Sequence, residues 1–555
     1  MHRKKKENWG SQLGVILAVA GSAVGLGNYL RFPGQAALYG GGAFMIPYLF
    51  SFLFLAIPLT WSEWALGRYG GKHGYNSVPG IYWFTGKKRF WGYFGTMGIV
   101  VPLFINMYYV YLEGWCLVYA IQYFGGTLRT LGLPSYTLFE SVSPGLALGS
   151  TEQYSQFFAG LVGMQKDGAI FSGSILSPLL IITIFCVLFN FFLIYRGIAN
   201  GIEKFCKIAM PLLFVCSIII LIRVLTLGNP TGQPGQSYFD GLGFLWNPTR
   251  DGKSLFETLN NPEIWLAATS QIFFSVSVGF GLILTYASYV RPKTDIALSG
   301  FTATSVNEFC EVVFGGLMIV PPAIMFLGIS ALTPEKLGSS LSMGFIVLPN
   351  VFEQMPAGQI FGFLFFVLLF LAGVTSAISM LQPAIAMLEE SFLIKRKWSV
   401  LITFLFCATG TSLVVWFSQN AMMLDTFDFW AGNLGLFLIA TFQTFMIAWI
   451  WGSKNMFKEL DEGAKIRVPR FIGFVLKYIS APYLILIFAL WAWKSMGSRL
   501  QQLGSDPVAQ IAFGMFITTI LFFLLVTHLA MKYWKKFEDH SKVLEEIPSK
   551  KEITK

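Results

Sequence analysis

Apolar stretches dominate the chain, and most are long enough to cross a membrane. Between Gln12 and Met531 we count twelve such runs, each near the roughly 20 residues that a helix needs to span hydrocarbon. The first five lie at about 12–38, 42–66, 90–123, 173–195 and 202–225. A sixth follows Pro262; the next three lie at about 300–328, 360–388 and 400–417. A tenth opens after Asp425 and Asp428 and closes near Trp451, and the last two lie at about 471–493 and 511–531. Two runs are interrupted by polar and glycine residues. The first contains Gly21-Ser22-Ala23-Val24-Gly25-Leu26-Gly27-Asn28, followed by Tyr29-Leu30-Arg31-Phe32-Pro33. The sixth contains Gln271-Ile272-Phe273-Phe274-Ser275-Val276-Ser277-Val278-Gly279-Phe280-Gly281.

A continuous lipid-facing helix has no use for either stretch. Glycine lets the backbone leave helical geometry, and freed backbone groups at membrane depth are tolerated only where they line a cavity. Both stretches therefore read as helices broken at mid-membrane to present carbonyls and amides to a small ligand. The alternative is a close-packed glycine seam between helices. Interruptions at corresponding places point to an inverted repeat with its site at the midplane. The expected fold is an all-α polytopic membrane protein of twelve transmembrane helices. It comprises a 5+5 inverted repeat with broken helices 1 and 6, plus two extra helices. The expected segments are an N-terminal piece 1–11, repeats 12–225 and 226–453, the extra helices 454–533, and a tail 534–555.

Composition agrees with a membrane protein: 555 residues, 55% hydrophobic and 12% charged. A net charge of +10 could suggest nucleic acid, but its distribution along the chain assigns it to topology. With the N terminus inside, about 30 of the 39 Lys and Arg fall in alternate, cytoplasmic segments. Both termini are then cytoplasmic, the bilayer is the surrounding partner, and no nucleic acid is implied. All six cysteines (Cys116, Cys186, Cys206, Cys216, Cys310 and Cys407) fall within the runs, so no disulfide framework is expected. The segment between the third and fourth runs has no Asn and hence no N-glycosylation acceptor. Both features fit a bacterial inner membrane, and the run from Leu13 lacks a signal-processing site.

Charges in hydrocarbon must be paired or line a cavity, which makes Arg31, Glu63, Glu113, Glu308 and Glu311 candidates. Each could instead be a structural partner between helices. The four histidines lie at or beyond the membrane boundaries, and no nucleophile–base set or Walker loop is present. An enzyme is therefore disfavoured, and a sensor lacks a soluble domain to read out binding. Asn28, Ser275, Asn307, Thr375 and Ser376 offer hard oxygen ligands from four runs, suited to an alkali cation. Singly, each is a common helix–helix hydrogen-bonding residue; together with two broken helices they favour an ion site.

The stretch from Gly21 to Pro33 resembles the signature of the neurotransmitter:sodium symporter family, especially its bacterial leucine-transporter-like branch. The resemblance continues through Gly40-Gly41-Gly42-Ala43-Phe44, Glu63-Trp64, Tyr108-Tyr109, the second interruption, Asn307-Glu308, Thr375-Ser376 and Asp428-Phe429-Trp430-Ala431-Gly432. It implies alternating access, with an amino acid and two co-transported Na+ bound between a bundle and a scaffold. Carried over by position, Ala23, Asn28, Ser275 and Asn307 would hold the first sodium with the substrate carboxylate. Gly21, Val24, Ala372, Thr375 and Ser376 would hold the second.

The implied substrate pocket comprises Ser22, Ala23, Gly25, Leu26, Gly27, Ile105, Tyr109, Phe274, Ser275, Ser277, Phe280, Ser376 and Met380. Amine-transporting relatives carry an aspartate where Gly25 stands, so the glycine leaves room for a substrate carboxylate. Leu26, Ile105, Phe280 and Met380 make the wall apolar, favouring a neutral, mainly hydrophobic amino acid. Phe274 and Tyr109 would form the lid, and Arg31 and Asp428 the outer gate. Lys6 and Glu390 would form the inner gate, where the family uses Arg and Asp, with Trp9, Tyr289 and Gln382 in support. An ammonium cannot reproduce a bidentate guanidinium, so this gate is expected to be looser. Glu311 stands where chloride-dependent relatives have serine, which implies transport without chloride; proton return through Glu311 is a further option. A homodimer is compatible with that fold. The competing transport reading is a sodium- or proton-coupled carrier of another small zwitterion or osmolyte.

Overall fold

The computed structural model describes residues 7–135, 137–138, 146–171, 177–249, 255–333, 337 and 339–546, with side chains to Lys535. Every regular element among the described residues is helical. Ten helices are long and apolar enough to cross a membrane, or eleven with the bent pair α1 (Gln12–Ala23) and α2 (Gly27–Leu38), whose halves meet at 45°. The single-piece crossing helices begin with α3 (Gly42–Lys72), α4 (Arg89–Thr130), α5 (Pro178–Tyr195) and α6 (Ile198–Leu225). The expected sixth span consists of α7 (Pro262–Val276) and α8 (Leu282–Ser288), each too short to cross alone. Then come α9 (Ile296–Leu327), α10 (Gly358–Phe392), α11 (Arg396–Trp416), α12 (Gln419–Asp461), α13 (Phe471–Ser505) and α14 (Pro507–Lys535).

Several helices outrun the apolar runs that predicted them: α4 continues past Tyr123 to Thr130, and α12 past Trp451 to Asp461. Hydrophobicity marks the hydrocarbon interval, whereas backbone hydrogen bonding continues into the interface. Residues 173–176, the expected start of the fourth span, lie outside the described residues.

Capping explains where both interrupted spans begin. Ser11 accepts from Gly14 N at 3.0 Å at the start of α1. At α7, Asn261 accepts from Glu263 N at 3.0 Å, and Pro262 occupies the first turn, where its missing N–H costs nothing. Central α4 packs along α10. Its most apolar window is 94% buried inside the protein, against 28% for α14. The α4–α10 pair is therefore the scaffold's core, whereas α14 turns most of its surface to the surrounding lipid.

At the end of the bundle carrying the N terminus, buried Arg68 of α3 reaches across to α12. Its Nε donates to Glu459 Oε2 at 3.1 Å and its Nη1 to Thr294 O at 2.8 Å. Lys72 donates to the same Glu459 oxygen at 2.8 Å and also pairs with Glu462. These charge-assisted bonds fix the loop after α12 against the bundle.

Candidate ion and substrate site

Both predicted interruptions are present, but they are built differently. After Ala23 the backbone leaves helical geometry at Val24 (φ −73°, ψ 94°) and resumes as a wide turn at Gly27–Arg31. None of the glycines in this stretch needs a positive φ. Gly25 is required for space: a Cβ there would stand 2.6 Å from both Tyr109 Oη and Ser376 Oγ. Freedom of the backbone, expected from all these glycines, is instead used in the second break. There Ser277 has φ 57° and Gly279 and Gly281 each φ 78°.

The four residues expected at the first ion position converge. Asn28 Oδ1 accepts from Gly25 N at 2.8 Å, which turns the side chain back on the break. Its Nδ2 lies 2.9 Å from the Asn307 side-chain amide and donates to Glu311 Oε2 at 3.1 Å. The Asn307 amide also lies 2.7 Å from Ser275 Oγ. Turned end for end, its nitrogen reaches the Ala23 and Ser275 carbonyls at 3.1 and 3.2 Å. Ser275 Oγ donates to Glu311 Oε2, and Gln271 Nε2 donates to Glu311 Oε1 at 2.7 Å. Glu311 is thus fully buried among neutral donors. No Lys, Arg or His among the described residues lies within ion-pair distance of it.

At the second expected position, α10 meets α1. Ser376 Oγ donates to Gly21 O at 3.3 Å and Ser22 O at 3.2 Å. Thr375 Oγ1 donates to Ala372 O at 3.1 Å, and Thr375 Cβ would lie 3.2 Å from a Cβ at Gly21. Val24 is buried at the end of α1. The Ser376 hydroxyl thus meets the Gly21 carbonyl across the two helices, and the Thr375 hydroxyl meets the Ala372 carbonyl within α10.

Around these groups lie the expected pocket residues. Tyr109 Oη accepts from Leu26 N at 2.9 Å, and Ser277 Oγ donates to Ser22 O at 3.1 Å. Leu26, Ile105, Phe280 and Met380 are all buried. Among the thirteen expected pocket residues only Gly27 and Phe274 are partly exposed. Phe274 meets Phe280 edge-on with ring centroids 6.0 Å apart, and the Arg31 guanidinium lies 4.6 Å from its ring centroid. Arg31 Nη2 donates to Ser270 Oγ at 2.9 Å, while Tyr108 Oη donates to Asp428 Oδ1 at 2.7 Å. No ion pair joins Arg31 to Asp428. The expected gate residues at this end are therefore present but engaged elsewhere.

At the N-terminal end, Lys6 of the expected pair lies outside the described residues, and Glu390 Oε2 accepts from Asn76 N and Ser77 N at 2.7 and 2.8 Å. Arg396, read only as a topological charge, joins this end together. It lies 3.4 Å from Glu7 Oε2 and 3.7 Å from Glu389 Oε2, and donates to Gln382 Oε1 at 3.0 Å and Ile194 O at 2.8 Å. Gln382 in turn reaches Tyr289 Oη at 3.4 Å, and Trp9 Nε1 donates to Tyr286 O at 3.0 Å. Glu63, left open between site and structure, accepts from Gly279 N at 2.7 Å and so holds the second break. Glu113 accepts from Asn190 at 2.9 Å, and Glu308 from Tyr48 at 3.1 Å. Gln271, Ser379 (2.8 Å from Ser22 Oγ) and Tyr108 also enter the site without having been assigned to it. Gln271 opens the second interruption and Tyr108 stands beside Tyr109 in the resembling motif, but neither had been given a role; the signal for Ser379 was only polarity within an apolar run.

A family profile described as the sodium:neurotransmitter symporter family matches residues 6–536. The chain belongs to that family. An uncharacterized sodium-dependent transporter of Methanocaldococcus jannaschii is 28% identical over 539 residues, covering 96% of this chain and 99% of that protein. The sodium- and chloride-dependent taurine transporter of Rattus norvegicus is 27% identical over 478 residues, covering 82% and 73% respectively. Among solved structures, MhsT in complex with L-phenylalanine superposes with a TM-score of 0.70 at 27% identity. That match covers 87% of this chain and 99% of MhsT. Membership makes the chain a multi-pass membrane transporter of the sodium-symporter family and accounts for the nearly chain-long resemblance of its motifs.

Proposed function

We propose that this member of the family is a symporter of neutral, mainly hydrophobic amino acids, driven by two Na+ and independent of chloride. The observation that carries the reading is the convergence of Ala23, Asn28, Ser275 and Asn307 on a buried Glu311 that has no cationic partner at ion-pair distance. A buried carboxylate without a counter-charge is costly, and a sodium ion among these oxygens would offset it. The substrate carboxylate completes that ion's shell, so each ligand raises the other's affinity reciprocally. The second sodium sits among Gly21, Val24, Ala372, Thr375 and Ser376, tying α1 to α10.

Gly25 keeps a side chain away from the substrate carboxylate, the Tyr109 hydroxyl donates to it, and the Ser277 region receives the ammonium. The apolar wall of Leu26, Ile105, Phe280 and Met380 selects a hydrophobic side chain. An L-phenylalanine complex of a protein with this fold supports that choice. Relatives named as taurine transporters favour, as a second reading, a small zwitterion without a bulky side chain. Both termini are placed on the cytoplasmic side of a bacterial inner membrane. Phe274, Arg31 and Asp428 then face outward and the Arg396 cluster inward.

The test is binding of labelled Phe, Leu, Gly and taurine to purified protein in sodium or potassium. Sodium-only binding that ranks Phe and Leu first, and is lost in Asn28→Ala, supports the reading. Equal binding in potassium would sink it, and taurine ranking first would move the second reading ahead.

A further inference from the structure

A second cavity, of about 360 Å³, opens at the end of the bundle that carries the N terminus. It lies where the start of α1, the linker between α8 and α9, and the loop after α12 meet, and of the site residues described above only Trp9 lines it. Its volume is in the range of ligand pockets. Its walls are one-sidedly basic: Arg291, Lys293 and Lys465 are exposed, and none stands within ion-pair distance of a carboxylate among the described residues.

The one carboxylate among the lining residues leaves an excess of positive charge, since it stands against Arg291, Lys293 and Lys465. Asp295 accepts from Leu298 N at 2.9 Å and from Lys465 N at 2.8 Å, which holds its carboxylate against the backbone at the start of α9. Gln12 Nε2 donates to Asp295 O and Ser299 Oγ, each at 3.3 Å, and closes the seam between α1 and α9. Helices α1 and α9 both begin at this cavity, but Glu203 accepts from Gly10 N and Ser11 Oγ and Asp295 caps α9, so each helix start already faces a carboxylate and the excess of positive charge rests on the three side chains. Topological basic residues need only lie on the inner side; here they line a concave site of ligand size.

We infer that this cavity binds a small phosphate-bearing anion, either free or as the headgroup of a lipid, held by Arg291, Lys293 and Lys465. An arginine fork beside two ammonium groups matches the several acceptor oxygens of a phosphomonoester. The bound anion joins residues 291–293 to Lys465 across the cavity and packs against the α1 entry, which shares its lining. The regulatory consequence, unlike the binding, rests on the alternating-access reading above. If release to the cytoplasm requires α1 to part from α8 and α9, a ligand bridging that seam favours the state closed on this side and slows release.

The test uses the full chain in phosphatidylcholine nanodiscs. Calorimetric titration with inorganic phosphate is compared with chloride at equal ionic strength. In parallel, native mass spectrometry follows retention of phosphatidic acid from an equal mixture with phosphatidylcholine. Saturable phosphate binding assigns a free anion, and selective retention of phosphatidic acid alone assigns a lipid headgroup. Either should weaken about tenfold or more in the Arg291→Ala/Lys465→Ala double variant, and be unchanged in Lys458→Ala, which alters an exposed lysine outside the cavity. The melting temperature certifies that the double variant is folded, and needs no transport activity. No preference for either phosphate ligand over its control, or equal weakening in Lys458→Ala, would overturn the inference.

Discussion

At the scale of single residues, Gly25 separates two reasons for a glycine. Its φ is ordinary, but a Cβ would press on Tyr109 Oη and Ser376 Oγ at 2.6 Å. Gly25→Ala should therefore lower the melting temperature, because the buried methyl must displace Tyr109 Oη and Ser376 Oγ at a cost of about 1–3 kcal/mol, and weaken sodium-dependent amino-acid binding by about tenfold or more. Unchanged affinity would show that no substrate group uses the space. Glu311 makes a separate prediction. If its carboxylate supplies the fixed negative charge beside the ion, Glu311→Ser should bind substrate poorly in sodium gluconate and recover in sodium chloride. Equal binding in both salts would contradict that role. Asn28, Ser275 and Asn307 were legible in the sequence because a polar side chain within an apolar run needs a partner. Gln271 and Ser379 were equally polar, but which neighbour each faces depends on helix rotation, which one sequence does not encode. Arg396 was hidden for the opposite reason: it stands among basic residues that topology already explained.

At the scale of elements, the two breaks divide the work. The first offers backbone groups around Val24 and Gly25; the second turns through left-handed residues at Ser277, Gly279 and Gly281 and is held by Glu63. Removing that carboxylate leaves the Gly279 N–H without its partner, at a cost of about 1–3 kcal/mol. Glu63→Ala should lower the melting temperature measurably and Glu63→Gln much less; equal melting of all three proteins would show that the break supports itself. Near the N-terminal end, the hydrogen bond from Lys72 holds the Glu462 carboxyl below the ordinary glutamate range. A depressed folded-state value means that its contribution is present above the ordinary range, near pH 4, and is lost as pH falls through the lower value. Amide protection factors in residues 462–470, which are referred to the intrinsic exchange rate at each pH, should accordingly fall on acidification in the parent more than in Glu462→Gln. The interruptions could be located in the sequence because glycine and serine punctuate apolar runs. Their construction could not, since a glycine retained for space and one retained for φ look identical.

At the scale of the whole molecule, the periodic alternation of apolar runs and basic loops was enough to give the helical membrane fold. The ends of α4 and α12 were not legible, because hydrophobicity stops at the hydrocarbon boundary while the helices do not. In the proposed reading, two breaks, a buried carboxylate and two sets of oxygen ligands form one coupled site. The bundle is asymmetric about that site. Arg396 ties together the N-terminal end, whereas Arg31 and Asp428 at the other end are not paired with each other. Partly exposed Gly27 and Phe274 lie on the Arg31 side, as expected of a transporter sealed at one end and approachable from the other. Uptake of labelled phenylalanine into proteoliposomes under an inward sodium gradient tests the coupling most directly. The proposal predicts accumulation above the equilibrium level that collapses when a sodium ionophore is added and does not occur in Asn28→Ala. Entry that only equilibrates, or that is the same under a potassium gradient, would contradict it.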